Sequence, residues 1–236
     1  MSSLNNLAQT NAEKVAAFYA DEPALADLID ESLTATWHPT VAFAQVVTDG
    51  HAHVWLGQML QTLHSYFRNS ALLLVTHSFD EGFSLLRMAA ELSRDISCVA
   101  ANPALITVWL RRRDSDEAQR VYRKAFRFDT ASSEGRNAFA AYEFACGYGT
   151  HGHLTTLFSG RPTATGYSGM VSLTPTTKEA VDTLRVWLST LFSLYEVSLR
   201  WDLLPSEPAV QAIHKAYLQG IINAGQIISK QQSPRA

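Results

Sequence analysis

The stretch that decides the fold runs from Ser78 to Cys98 and reads SFDEGFSLLRMAAELSRDISC. Apolar side chains recur along it and just beyond it at the spacing of an α-helix. One face of this helix carries Leu85, Met88, Leu92, Ile96 and Val99. Another strip carries only small side chains, which would let a neighbouring helix approach closely: Ala89, Ala90, Ser93, Ser97 and Ala100. The pattern predicts a helix at the centre of a bundle.

A polar stripe follows the remaining side of the same helix. At about 100° per residue its members fall within roughly one third of the circumference. Arg87 precedes Glu91, the less favourable order for an exposed pair four residues apart, and Glu91 and Asp95 are like charges one turn apart. The stripe is therefore either a partly buried ion network or an ordinary solvated face. Its members are Asp80, Ser84, Arg87, Glu91, Arg94 and Asp95.

Capping signals divide the rest of the chain into helices. Ser78 with Glu81 matches the capping box, Asn102 precedes a proline at a first helical position, and Ser115 precedes an acidic first turn. With the apolar periodicity, these signals predict helices near residues 5–19, 22–35, 40–69, 78–100, 103–113, 116–129, 133–147, 177–202 and 207–230.

The predicted fold class is all-α, a single domain over residues 1–236 that forms an up-and-down bundle of seven to nine helices. Residues 159–175 hold three glycines and two prolines and are expected to form a small non-helical insertion. The tail of this insertion, Tyr167 to Leu173, is expected to be one strand of a hairpin.

Composition limits the class of protein. Hydrophobic residues make up 47% of the chain and charged residues only 17%, so either the core is large or a partner covers part of the surface. Long helices such as 40–69 and 207–230, the latter with Gly220 and Ala224 four residues apart, favour a homodimer. The net charge of −3 gives no global electrostatic reason to bind nucleic acid.

The compartment is expected to be the cytoplasm. Cys98 and Cys146 are too few for a disulfide framework, and the first residues lack the basic start and apolar core of a signal peptide. Apolar runs such as Ala71 to Val75 are too short to span a bilayer, so no membrane association is expected.

The histidines suggest a second polar cluster at His151 and His153. Residues at positions i and i+2 of a helix point about 200° apart, and the sequence has neither Glu-x-x-His nor His-Glu-x-x-His. No metal and no cofactor are therefore expected. His64 and Arg68, one turn apart, are expected at the surface. If the cluster meets the polar stripe in space, the candidate site consists of Asp80, Arg87, Glu91, Arg94, Tyr142, His151 and His153.

A basic face is predicted on the helix near 116–129. It is typical of a solvated amphipathic helix, and the alternative is a patch that contacts phosphate or RNA. No glycine-rich phosphate loop accompanies it. The opposite side carries Val121, Tyr122 and Ala125. The basic residues that align are Arg113, Arg120, Arg123, Lys124 and Arg127.

Residues 70–155 also contain the motifs Leu-Leu-Arg-x-x-x-Glu at Leu85–Glu91, Asn102-Pro103, and Tyr142-Glu143-Phe144 followed by His151. In these motifs the chain resembles a widespread bacterial all-helical family that carries no established activity. The helical layout is also similar to that of the HEPN superfamily. The ribonucleases of that superfamily use Arg-x(4–6)-His, a spacing that does not occur here.

Two functional hypotheses follow. The first is a bacterial helical module that binds a small molecule or a protein without catalysis. The alternative is a metal-independent hydrolase or nuclease, with His151 as the base and Arg87, beside Glu91, as an anion clamp. The enzyme requires His151 to lie within reach of the Arg87 and Glu91 side chains in an open cleft.

Overall fold

The computed structural model describes residues 4–46, 51–149, 162–163 and 166–167. Seven helices occupy the described residues and by themselves hold more than half of the chain, so the predicted all-α class is confirmed. The predicted helices 177–202 and 207–230 lie outside the described residues. The helices are α1 (Leu4–Asp21), α2 (Pro23–Val46), α3 (His51–Val75), α4 (Phe79–Ala101), α5 (Leu105–Arg111), α6 (Asp116–Ala125) and α7 (Ser133–Gly149).

The predicted central position of α4 is confirmed. This helix packs against α3, α5 and α7, while α2 lies against α3 and α1 lies against both of them. Leu86 and the small residues Ala89, Ala90 and Ser93 of α4 are completely buried. The described residues of α7 that are buried are equally small, as the close approach of two helices requires: Gly135, Ala138, Ala141 and Ala145.

The turn between α3 and α4 positions the central helix. His77 adopts a left-handed backbone with φ of 66°, and the amides of His77 and Ser78 donate to the carbonyls of Leu74 and Leu73. This is the Schellman arrangement that commonly ends a helix. The Ser78 side chain makes no capping hydrogen bond, so the predicted capping box is wrong. Backbone hydrogen bonds in the turn, rather than a serine cap, therefore determine where α4 begins.

Other helix boundaries differ from the prediction at places where tertiary packing outweighs the local sequence signals. The predicted break between residues 35 and 40 is wrong because α2 continues through Pro39, and the next residue, Thr40, is buried. Helix α6 ends four residues early because Phe126 takes an extended backbone and buries its ring. Ser115 does cap α6, since its hydroxyl accepts a hydrogen bond from the amide of Ala118 at 3.1 Å.

Two short strands form a hairpin inside the predicted insertion. β1 (Pro162–Thr163) pairs antiparallel with β2 (Gly166–Tyr167), with Pro162 opposite Tyr167. The described pairing thus begins earlier than the predicted strand, of which residues 168–173 lie outside the described residues. Within the described ranges, no helix combines the length and the apolar character that crossing a bilayer requires.

Candidate functional site

Asp95 is the centre of a buried polar network on α4. Its side chain is only 6% exposed, and its two carboxylate oxygens accept four hydrogen bonds. Nε and Nη2 of Arg94 donate to Oδ1 at 3.0 and 2.7 Å. The indole of Trp109 and the hydroxyl of Tyr122 donate to Oδ2 at 3.0 and 2.7 Å. The carboxylate thereby ties α4 to α5 and α6.

The same contacts determine the charge states in the network. Burial raises the pKa of the Asp95 carboxyl, while the charge of Arg94 and the donated hydrogen bonds oppose this rise. Desolvation lowers the pKa of Arg94, but Asp95 and Tyr122 together raise it above its ordinary value. All four bonds reach carboxylate oxygens from donors, so the arrangement fits an ionised Asp95 paired with a protonated arginine.

A cavity of about 270 Å³ lies above this network, between α3, α4, α5 and α6. Its volume is just below the range of about 300–1,000 Å³ that is typical of small-molecule sites. Four aromatic side chains line it: Trp55, Tyr66, Trp109 and Tyr122. Four charged residues, Glu91, Asp95, Arg112 and Arg113, also reach it. The remaining lining residues are Gln58, Met59, Thr62, Met88 and Leu92.

Charge around the cavity is unbalanced. Glu91 is paired with Arg87 and Asp95 with Arg94, and each pair is neutral as a whole. Arg112 stacks on Trp109, with its guanidinium carbon 3.7 Å from the centre of the indole, and donates to the carbonyl of Trp109 at 2.6 Å. Desolvation lowers the pKa of Arg112. Within the described residues, no carboxylate forms an ion pair with this arginine.

No protein-family model, curated protein or solved structure matches this chain. The interpretation of the site therefore depends on its own geometry.

The predicted pair of Arg87 and Glu91 forms and is partly buried. Nη2 of Arg87 lies 3.0 Å from Oε1 of Glu91, and the two side chains are 36% and 35% exposed. The pair is less buried than Asp95 because the segments that carry Trp109 and Tyr122 reach the stripe at Asp95, one turn further along α4. Tyr142 does lie beside the pair, since its hydroxyl interacts electrostatically with both side chains.

Replacing Arg87 by methionine is accordingly expected to change the free energy of unfolding by less than about 1 kcal/mol, because partly exposed ion pairs contribute little. A buried pair would instead lose about 3–5 kcal/mol when one partner is removed. Urea denaturation of the two proteins at pH 7 distinguishes these outcomes, and a loss of the larger size would contradict the exposed geometry.

Three side chains of the predicted site lie beyond what the structure describes. His151 and His153 fall outside the described residues, and so does the side chain of Asp80. The hydrolase or nuclease hypothesis therefore has no described geometry for its base. Among the residues that the structure does describe, no group of three or more histidine, cysteine, aspartate or glutamate side chains could hold a metal ion. Cys98 and Cys146 are not joined by a disulfide.

The basic face of α6 projects into solvent. Arg120 is 75% exposed and pairs with Glu117 on its own helix, at 3.1 Å. The predicted apolar side of α6 is divided, since Val121 is exposed while Tyr122 turns inward to Asp95. The exposure fits the prediction of a solvated face. The other aligned basic residues are exposed as well: Arg113, Arg123, Lys124 and Arg127.

His64, expected at the surface, is buried instead. Its ring lies 4.9 Å from the ring of Trp37 on α2, a contact between helices that the local pattern of α3 does not reveal. Desolvation, with a smaller effect from Arg68, lowers the pKa of His64 to about 4. The folded protein therefore holds this histidine neutral at pH values where the unfolded chain would protonate it.

Acidification is expected to destabilise the protein through His64. Between pH 6.5 and about 4 the unfolded state binds a proton that the folded state does not, so stability falls as the pH falls through this window. The expected loss from this residue is about 2 kcal/mol. Urea denaturation at pH 7 and pH 4.5 measures it, and His64→Gln should remove that share of the pH dependence. An identical pH dependence in this variant would show that His64 does not contribute.

Most of the residues around the cavity are not predicted by the sequence pattern. Asp95 was placed in the polar stripe but not in the candidate site, and Tyr122 was assigned to an apolar face. The sequence of α3 did contain a signal for the cavity, since Trp55, Met59 and Tyr66 recur at helical spacing on one side of that helix. On α4 the cavity lies where the apolar face, at Met88 and Leu92, meets the polar stripe. Met88 is accordingly 43% exposed rather than part of the core.

Proposed function

We propose that this chain is a binding module of the bacterial all-helical family that it resembles, and that the cavity above Asp95 is its small-molecule site. The observation that carries the proposal is a concave, aromatic-lined space placed over a buried carboxylate whose hydrogen bonds are all made within the protein. Such a combination of apolar walls and a few fixed polar groups is typical of ligand sites.

Binding is favoured over catalysis because the acidic groups at the cavity are already engaged. Asp95 accepts four hydrogen bonds, and Glu91 is held by Arg87. A general base needs a lone pair that can reach a substrate proton. The network serves better as a rigid wall that keeps Trp109 and Tyr122 in fixed positions, and a preformed site of this kind lowers the entropic cost of binding.

The test uses three probes with the same ring and different charge: phenylacetate, phenylacetamide and phenethylamine. Each is titrated to millimolar concentration while the indole N–H signals of Trp55 and Trp109 are followed by NMR. At least one probe should shift both signals, because both indoles line the cavity. The absence of a shift with all three probes would overturn the proposed site.

A pair of variants locates the binding. Thr62 lines the cavity and is exposed at its rim, so Thr62→Trp should fill the space without disturbing the core. Gln61 is the exposed neighbour that does not line the cavity, and Gln61→Trp is the matched control. Thr62→Trp should abolish the shifts and Gln61→Trp should retain them. Equal binding by both variants would place the ligand elsewhere.

The proposed module is a cytoplasmic homodimer. The low charged fraction of 17% supports this assembly, as do exposed apolar side chains on the described helices, among them Val54 and Leu72 on α3. Light scattering at tens of micromolar is expected to give about twice the 26.1 kDa mass of one chain. A monomeric mass at that concentration would contradict the homodimer and leave the cavity proposal intact.

A further inference from the structure

We infer that the cavity is selective for a carboxylate that carries one flat aromatic ring, and that the anionic group binds between Arg112 and Tyr66. This inference rests on the proposed function and adds the chemical class of the ligand.

Two arginines at the cavity are available to an anion, and Arg112 is the less exposed of them. Its guanidinium is held flat against the indole of Trp109 and uses Nη1 for one main-chain bond, at 2.6 Å. No described carboxylate pairs with Arg112 or with its neighbour Arg113, whereas Arg94 is committed to Asp95. A planar guanidinium presents several N–H donors in a fixed fork that matches a carboxylate.

Tyr66 supplies a second donor on the opposite wall. It lines the cavity from α3 and lies close enough to Arg112 to act on the charge of that side chain. Among the described residues, its hydroxyl has no hydrogen-bond partner. A phenol hydroxyl can donate to a carboxylate oxygen while the guanidinium binds the other. The two residues together form a site for one anionic group.

Cationic ligands are disfavoured by the same geometry. The oxygens of Asp95 are saturated, and Glu91 is neutralised by Arg87. Arginine side chains of the protein already lie against some of the aromatic rings that a cation would contact. Arg112 covers Trp109, and the guanidinium carbon of Arg94 lies 5.7 Å from the ring centre of Tyr122. A cation would meet the unbalanced charge of Arg112 and Arg113, and the two carboxylates that line the cavity, Glu91 and Asp95, are already paired.

The aromatic side chains that line the cavity favour a flat apolar group as the remaining part of the ligand, beside its carboxylate. Trp55 and Tyr122 line the cavity together with the thioether side chain of Met59, and the volume of about 270 Å³ suits a compound with one ring. Flat apolar groups bury their area against such walls at little entropic cost.

The experiment ranks the three probes by dissociation constant on the full-length protein. Phenylacetate should bind at least about tenfold more tightly than phenylacetamide or phenethylamine, as expected when a charge-assisted hydrogen bond is gained. Tighter binding of the neutral or the cationic probe would overturn the inference and leave the cavity as a binding site. If no probe binds, the proposed function fails together with the inference.

Variants of the two donors test the mechanism. Arg112→Gln should weaken phenylacetate binding by about tenfold or more. Arg111→Gln removes the same charge from an exposed neighbour that does not line the cavity, and it should leave the affinity within about twofold, as expected for an exposed, screened charge. Equal losses of phenylacetate affinity in both variants would mean that any nearby positive charge has the same effect. That result would overturn the assignment of Arg112 to the binding site.

Tyr66→Phe provides a test that does not disturb the stacked arginine. It should weaken phenylacetate binding about fivefold, because one neutral donor is lost, and should leave phenylacetamide binding nearly unchanged. Unaltered affinity for phenylacetate would remove Tyr66 from the site.

Discussion

Replacing Asp95 by asparagine is expected to lower the free energy of unfolding by about 3–5 kcal/mol, because it leaves Arg94 charged and without its anionic partner inside the bundle. The amide of asparagine can accept hydrogen bonds through only one atom, whereas Asp95 accepts four through two oxygens. The indole of Trp109 or the hydroxyl of Tyr122 then faces an amide N–H. Urea denaturation at pH 7, monitored by circular dichroism, measures the loss.

Glu91→Gln is the matched control for Asp95→Asn. It makes the same chemical change one turn earlier on α4, in an ion pair whose side chains are about one third exposed. Its expected cost is below about 1 kcal/mol. A comparable loss in the two variants would show that burial does not distinguish the two carboxylates, and would contradict the network described at Asp95.

Enlarging Ala138 to leucine is expected to destabilise the protein by about 3 kcal/mol. Ala138 is completely buried on α7, which packs mainly against α4 among the described helices. A leucine there must push the helices apart or leave its rotamer minimum, because a close-packed site filled by alanine has no room for three more carbon atoms. Thermal or urea unfolding of the purified variant gives the value.

Ala140→Leu is the control that separates the effect of packing from that of the alanine-to-leucine change itself. Ala140 is exposed on the same helix, and leucine forms helices nearly as well as alanine, so the change should stay within about 0.5 kcal/mol. A destabilisation of Ala140→Leu as large as that of Ala138→Leu would mean that α7 does not pack through its small residues.

The core position of α4 could be predicted from the sequence because it is a local property. Large and small side chains repeat at helical spacing between Phe83 and Ala100, and only a helix with neighbours on several sides satisfies that pattern. The cap at Ser115 is local in the same sense, since its hydroxyl reaches an amide three residues away. Fold class and most helix positions therefore followed from periodicity and capping.

Helix ends were decided by tertiary structure. Helix α2 continues through Pro39 to a buried Thr40, and the burial of Phe126 ends α6 before its amphipathic pattern ends. The boundary at Ser78 depends on backbone hydrogen bonds to Leu73 rather than on the serine side chain. Local sequence signals allow more than one position for a helix end, and packing determines which position is used.

Which end of the polar stripe is buried was also decided only by tertiary structure. Arg87 with Glu91 and Arg94 with Asp95 lie on the same polar stripe, and the local sequence does not indicate which pair other helices cover. Asp95 is buried because Trp109 and Tyr122, which lie 14 and 27 residues further along the chain, fold back onto it. The sequence alone determined an all-helical chain with a charged stripe on its central helix. The cavity exists only where four helices meet, so its lining could not be read from any single segment.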